Sequence, residues 1–300
     1  MLSNRSSLIV VPCLKLNTGT LKRNRMLRVA SYYGGKFSLA QRYIPMFPEH
    51  SIYVEPFGGS GVVLLNKPRA KVEVYNDLEE GVYSLFHCLR DEHLSEMLFK
   101  QVKLTPYSRQ EHARSIAEYD SPCSVVEKAR RWFVATQASY ASIFGETFSI
   151  SAIKSRPQEW RNRIERFEPV IERMRGVLIE NRDFGTVLNR FDTDKTFNFI
   201  DPPYVHDART GGGGYHHEMS DAEHLRLLSV ILSLKGLVML CGYAHPMYDE
   251  ALRGWHIVDT PHRCASGKTK KTSRRVERVW MNYRLADEMS SGTELPRKSA

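Results

Sequence analysis

No apolar run in this 300-residue chain approaches the ~20 residues that a membrane-spanning helix needs. Cysteine is sparse too: Cys13, Cys88, Cys123, Cys241 and Cys264 are scattered, odd in number, and form no C-x-x-C pair. That pattern argues against a disulfide framework or a zinc site and fits reduced thiols in a cytoplasm. The first 28 residues hold no acidic side chain, while Arg5, Lys15, Lys22, Arg23, Arg25 and Arg28 make them basic. Within them Leu8-Ile9-Val10-Val11 is too short for a secretory core. We expect residues 1–28 to be a disordered basic leader, with Met26 as an alternative natural start. There are no internal repeats, and a tail from residue 286 is expected to be unstructured. His216-His217 are not read as a metal site, because two adjacent side chains rarely share one ion; no metal is expected.

What is present is a core-forming composition, 42% hydrophobic and 10% aromatic, carrying a net charge of +9. Wholesale disorder is excluded. The excess of positive charge favours a polyanionic partner, although charge alone does not separate nucleic acid from an acidic membrane.

One stretch organises the rest. Phe199-Ile200-Asp201-Pro202-Pro203-Tyr204 follows an apolar approach and reads as a buried strand breaking into a turn. Neither proline donates a backbone hydrogen bond or continues a sheet. Their carbonyls remain acceptors between the Asp201 carboxylate and the Tyr204 ring, a set that suits a planar heterocycle with an exocyclic amino group. Alone, such a turn also serves simply to end a strand.

Its neighbours change that balance. Ser51-Ile52-Tyr53-Val54-Glu55 reads as a strand, Pro56-Phe57-Gly58-Gly59-Ser60-Gly61 as a loop, and Val62 to Leu65 as a helix start. Strand, glycine loop and helix make a nucleotide-binding turn, where glycines admit a ligand close to the backbone. A second strand, Lys71 to Tyr75, ends at Asn76-Asp77, where dinucleotide-type folds place the acid that meets ribose hydroxyls. Upstream, Tyr32-Tyr33-Gly34-Gly35-Lys36 forms a paired-glycine turn before a helix over Leu39 to Phe47.

The helix after Asp77 is expected to turn Leu78, Val82, Leu85, Phe86 and Leu89 into the core. Residues 93–175 carry helical spacing and many basic side chains, with Pro169 expected to kink the stripe of Trp160, Ile164, Phe167, Ile171 and Met174. Strands are expected again at Val177 to Glu180 and Phe197 to Asp201. Gly211 to Gly214 is expected to be a mobile loop that orders around substrate. Ser220 to Glu223 is a capping box that opens a helix with Leu225, Leu228 and Leu232 in its buried stripe. Strands at Leu237 to Leu240, Trp255 to Val258 and Val276 to Tyr283 follow. The loop between the last two, with Lys268, Lys270, Lys271, Arg274 and Arg275, suits contact with DNA phosphates.

Taken in order, Tyr32-Tyr33-Gly34-Gly35-Lys36, Val54 to Gly61, Asn76-Asp77 and Asp201-Pro202-Pro203-Tyr204 make the chain resemble the Dam-like (D12 class) N6-adenine DNA methyltransferases. His217-Glu218-Met219, Cys241-Gly242-Tyr243 and Trp280 to Tyr283 extend the likeness, which runs from about residue 30 to 283. The resemblance implies an α/β fold, a Rossmann-like class I methyltransferase sheet with a mainly helical target-recognition insertion. Residues 29–92 and 176–285 would form the catalytic domain, and 93–175 the insertion. It implies S-adenosylmethionine as methyl donor and double-stranded DNA as substrate, with no membrane and no obligate protein partner. By motif, Tyr32 and Lys36 would line the methionine end of the donor. Glu55, Phe57, Gly58, Gly59 and Gly61 would form the loop beside it, and Asp77 would hold its ribose. Asp201, also beside the donor, and Pro202 would hold the target amine, and Tyr204 would stack on the flipped base. Other acceptors (cytosine N4, RNA, a protein amide) and a DNA-binding protein that has lost catalysis remain alternatives. Recognition of a particular DNA sequence is not legible in the insertion.

Overall fold

The computed structural model describes residues 26–31, 35–205, 218–264 and 273–285, with backbone alone at 261–264 and 273–275. The leader through residue 25, Tyr32, the Gly211–Gly214 run, His216-His217, Lys268, Lys270, Lys271 and the tail from 286 lie outside the described residues.

Seven strands form one sheet: β1 Ile52–Glu55, β2 Val72–Asn76, β3 Leu178–Glu180, β4 Thr196–Ile200, β5 Leu237–Tyr243, β6 His256–Cys264 and β7 Ser273–Met281. Their spatial order is β3-β2-β1-β4-β5-β7-β6. The first five run parallel, and β7 is antiparallel to both β5 and β6. Central β4 is buried along its whole length, as a near-continuous apolar run in a parallel sheet should be. Strand order reverses between β1 and β4. In open parallel sheets, ligands settle beyond the carboxyl ends at that switch. Glu55 ends β1, and Asp201 follows β4 directly.

The helices in chain order are α1 Ala40–Tyr43, α2 Val62–Asn66, α3 Glu80–Arg90, α4 Glu92–Leu104, α5 Arg109–Ala117 and α6 Val125–Gln137. They continue with α7 Arg156–Ile164, α8 Phe167–Met174, α9 Phe184–Arg190, α10 Asp221–Ser233 and α11 Pro246–Ala251. No helix among the described residues is long and apolar enough to cross a membrane. Two apolar clusters flank the sheet. The larger joins Tyr75, Leu85 and Phe86 to Trp132, Phe133, Trp160 and Phe167, so the helices of 93–175 share a core with the sheet. The smaller packs α9, α10 and α11 on the other face.

The fold corrects several local expectations. The stretch from Leu39 to Phe47 is a four-residue α1 and a short 3₁₀ turn at Ile44–Met46, because Pro45 interrupts the ladder. Leu78 is 55% exposed: it precedes α3, whose cap is Glu79, and so escapes the buried stripe. In α10 the capping box forms, but Leu225 and Leu232 face outward while His224, Leu227, Leu228 and Ile231 are buried. A rotation of one position about the axis produces that shift. Pro169 kinks nothing: α7 ends at Ile164, and Pro169 sits in the first turn of α8, where its missing N–H has no partner to lose. Finally, Met26–Arg28, assigned to the leader, belong to the described fold; Leu27 exchanges two hydrogen bonds with the Asn66 side chain at 2.8 and 2.9 Å.

Candidate active site

The glycine loop is shaped by what lies behind it. A Cβ on Gly58 would run into the Tyr75 ring, and Gly61 has φ +62° with Phe86 against it. Neither position accepts a larger residue without moving an aromatic of the core. The Gly58 N–H donates to the Asn76 carbonyl at 2.8 Å, and the Tyr75 hydroxyl donates to the Gly59 carbonyl at 2.6 Å. Asn76 is a staple. Its amide donates to the carbonyls of Pro56 and Arg182, and its oxygen accepts from the Arg182 N–H at 2.8 Å. One side chain thus joins the ends of β1, β2 and β3, and the next residue, Asp77, borders the cavity.

Asp77 accepts from the Gly59 N–H at 2.7 Å and the Glu79 N–H at 2.8 Å. Burial pushes its carboxyl up to about 6, against the pull of those two donors. Glu55 is 2% exposed and accepts from the Tyr53 hydroxyl at 2.8 Å and the Leu64 N–H at 3.1 Å. Burial pushes it up to about 8. Across from it, Lys36 Nζ pairs with Asp201 Oδ1 at 2.7 Å, yet burial still lifts Asp201 to about 6.

These groups line one cavity of about 970 Å³, open mouth included. Lys36, Glu55, Phe57, Gly58, Gly59, Asp77 and Asp201 all border it. The carboxylate after β4 and the glycine turn after β1 therefore share a chamber, as the ligand reading requires. Gly61 stands behind the loop, as the N-cap of α2. Pro203 lines the chamber, but Pro202 and Tyr204 are buried beside it. The Tyr204 hydroxyl donates to Glu277 at 2.6 Å, its ring meets Tyr243 edge-on at 4.7 Å, and the Lys36 ammonium stands 4.7 Å from its centroid.

Sequence reasoning missed the far wall. Arg182, Asp183, Phe184 and Arg226 border the same cavity. Phe57 and Phe184 lie 5.4 Å apart, and the Arg226 guanidinium stacks 4.0 Å from the Phe184 centroid while pairing with Asp183. The signal was in the chain: Asn181-Arg182-Asp183-Phe184 directly follows β3, at the same end of the sheet as the other loops. Glu277 was missed as well, since a lone glutamate in a strand carries no sequence mark.

Charge separates this chamber from the molecule around it. Among the described residues its wall holds seven acidic side chains (Glu55, Asp77, Glu79, Asp183, Asp201, Glu218 and Glu223), of which Glu55 is mostly neutral at pH 7, against three cations (Lys36, Arg182 and Arg226), in a chain of net charge +9. An acidic pocket in a basic protein suits a small cationic ligand brought to a polyanion. Of the basic residues expected at the β6–β7 turn, Lys268, Lys270 and Lys271 lie outside the described residues. Arg274 and Arg275 fall on β7, where only the backbone is described.

A sequence model of the family described as D12 class N6 adenine-specific DNA methyltransferase matches residues 32–246. A search of curated proteins found no match.

Proposed function

The chain belongs to the D12 class N6 adenine-specific DNA methyltransferases, and on that premise we propose how its acidic chamber divides the work of methylating adenine N6 in DNA. The donor is S-adenosylmethionine and the substrate double-stranded DNA, handled in the cytoplasm of a bacterial or phage-infected cell. The cavity fits that donor on three counts: the cradle at Gly58 admits no side chain, the far wall offers an aromatic and a guanidinium, and the carboxylates complement a cation. Lys36 and Tyr32 would take the methionine end, Asp77 the ribose hydroxyls, and Phe184 with Phe57 the adenine end. When bound, S-adenosylmethionine supplies a methyl group on a positively charged sulfur that needs no further activation.

The protein's own task is to present the acceptor. Adenine N6 shares its lone pair with the ring, and inside a duplex it is out of reach. Turning the base outward costs roughly a few kcal/mol, and stacking on Tyr204 would recover about 1–3 kcal/mol. Asp201 would accept one N6 hydrogen and the Pro202 carbonyl the other, drawing the nitrogen out of conjugation and toward the donor. Lys36, 2.7 Å away, holds that carboxylate in place. Orientation supplies much of the acceleration, and no covalent intermediate on the enzyme is needed. The helices of 93–175 would carry target recognition, and the β6–β7 turn would contact phosphates.

One observation carries this reading: Asp201 borders the same cavity as the glycine loop and Asp77. Expression in a methylation-free host, followed by nucleoside digestion and sequencing that detects modified adenines, tests it. N6-methyladenine at a defined site is expected; N4-methylcytosine or unmodified DNA would overturn it.

A further inference from the structure

A second cavity lies wholly apart from the chamber, in the insertion, and its charge is of the opposite sign. It is walled by α6, α7 and the loop of residues 139–149, with Gln137, Ser142, Arg156, Glu159, Trp160 and Arg163 among its lining residues. Among the described residues Glu159 is its one carboxylate, and Arg156 already holds it, Nη1 to Oε2 at 2.8 Å. Arg163 makes no ion pair among the described residues; its Nη1 donates to the Gln137 carbonyl at 2.6 Å, leaving the other donors of its guanidinium. Burial disfavours its charge. Trp160 is 5% exposed, and its indole N–H is buried with no hydrogen-bond partner among the described residues. The Arg156 Nε–H is orphaned in the same way.

Buried donors without acceptors are costly, and each calls for an explanation, a bound group among them. Here both are N–H donors, beside a cation that makes no ion pair among the described residues. Two other hydroxyls on the wall are spent: that of Tyr107 donates to the Ser149 carbonyl at 2.5 Å, and that of Ser139 to the Ala135 carbonyl at 2.5 Å. Ala141 and Ser142 hold φ of +54° and +58° on the rim, a conformation such residues rarely adopt. The cavity is also wired to the catalytic side. Gln137 clasps Ser31, accepting from its N–H at 2.9 Å and donating to its carbonyl at 2.8 Å, and the chain runs from Ser31 to Lys36.

We propose that this cavity seats one backbone phosphate of the target DNA, gripped by Arg156, Arg163 and the indole N–H of Trp160. The proposal rests on the reading of DNA as substrate. It assigns these residues to positioning the duplex rather than to reading its sequence, since a phosphate contact carries no base information. Through Gln137 and Ser31 the seated strand would be registered against the segment that carries Lys36.

The test uses the full chain, labelled fragments of unmethylated plasmid DNA and anisotropy over a salt series, with Arg156→Gln and Trp160→Phe. Donor affinity by calorimetry and thermal unfolding report whether each variant keeps its fold. Arg156→Gln should weaken binding about tenfold on every fragment and flatten the dependence of log affinity on log salt by about 0.9. Trp160→Phe, which removes an uncharged donor, should weaken binding about threefold with the slope unchanged. In both, the KM for DNA should rise by the same factor with kcat at saturation retained. Wild-type binding and slope in both variants would overturn the proposal. So would an altered preference among fragments with an unchanged slope for Arg156→Gln, which would mark a base edge as the occupant. A wild-type enzyme that methylates no adenine would instead overturn the function itself, a separate result.

Discussion

The Tyr204 hydroxyl donates to the Glu277 carboxylate at 2.6 Å, across 73 positions of sequence and inside the core. Strand β7 thereby anchors the turn that follows β4. Tyr243, the cross-strand partner of Glu277, supplies the ring that meets Tyr204 edge-on. If the ring is what the base needs, Tyr204→Phe should keep kcat within about threefold, whereas Tyr204→Ala should lose stacking worth about 1–3 kcal/mol. Glu277→Ala takes from the buried Tyr204 hydroxyl its acceptor at 2.6 Å and should cost about 1–3 kcal/mol of stability; Glu277→Gln should restore most of it. Urea unfolding and steady-state kinetics on the four variants check this.

The acid limb of the pH profile should report Asp201 together with Asp77, both raised by burial to about 6. On the proposed mechanism the ionised form of Asp201 is the stronger acceptor for the amine, since protonation turns one oxygen into a donor. Below that pH, kcat/KM should fall about tenfold per unit. A profile flat down to pH 5 would remove the carboxylate from the mechanism.

Glu55 predicts a stability trend that is complete just above pH 8. Its folded pKa, about 8, lies above its unfolded value of 4.5, so between the two the native state binds more protons than the unfolded chain. Unfolding free energy must then fall as pH rises through 8 and increase on going from pH 8 to 7, by about 1 kcal/mol per unit on the steep side. His50 and His112, both depressed by burial, act in the other direction only below their ordinary 6.5. Urea midpoints at pH 7, 7.5 and 8, below the range where the buried Cys88 and Cys241 thiols contribute, should show the trend, and Glu55→Gln should remove most of it.

A buried ion network ties the insertion to the sheet. Arg173 of α8 reaches Glu73 of β2 through two bonds of 2.6 and 2.8 Å, Lys67 reaches it at 2.6 Å, and Arg173 also donates to the Leu64 carbonyl at 2.6 Å. Burial pushes Glu73 up, but the two cations outweigh it and hold the carboxylate below its usual range. Arg173→Ala should cost about 3–5 kcal/mol, read by urea unfolding. Arg173→Met with Glu73→Leu and Lys67→Met together should recover most of that, because the desolvation penalty goes with the charges.

What the sequence disclosed here followed from backbone chemistry. Glycine, proline and an acid at a strand end announce themselves locally, so Gly58 to Gly61, Asn76-Asp77 and Asp201 to Tyr204 were found, and the fold brings Gly58, Gly59, Asp77 and Asp201 to one cavity. Long-range partners leave no such trace. Nothing near Glu277 indicates that it faces Tyr204, and nothing near Gln137 indicates Ser31. Asn76 was read as half of a motif, but its work is to staple three strand ends, which only the fold displays. Helical stripes were placed correctly as elements yet misassigned by a position at Leu78, Leu225 and Leu232, because which face is buried depends on what packs against it.

The central claim is that Asp201 holds the amino group of an extruded adenine next to the bound donor. Tritiated methyl incorporation into unmethylated DNA by Asp201→Ala, alongside calorimetry of S-adenosylmethionine binding, tests it most directly. The account predicts loss of at least about 10²-fold in kcat, with a folded protein that still binds the donor. Turnover at the wild-type rate would contradict it.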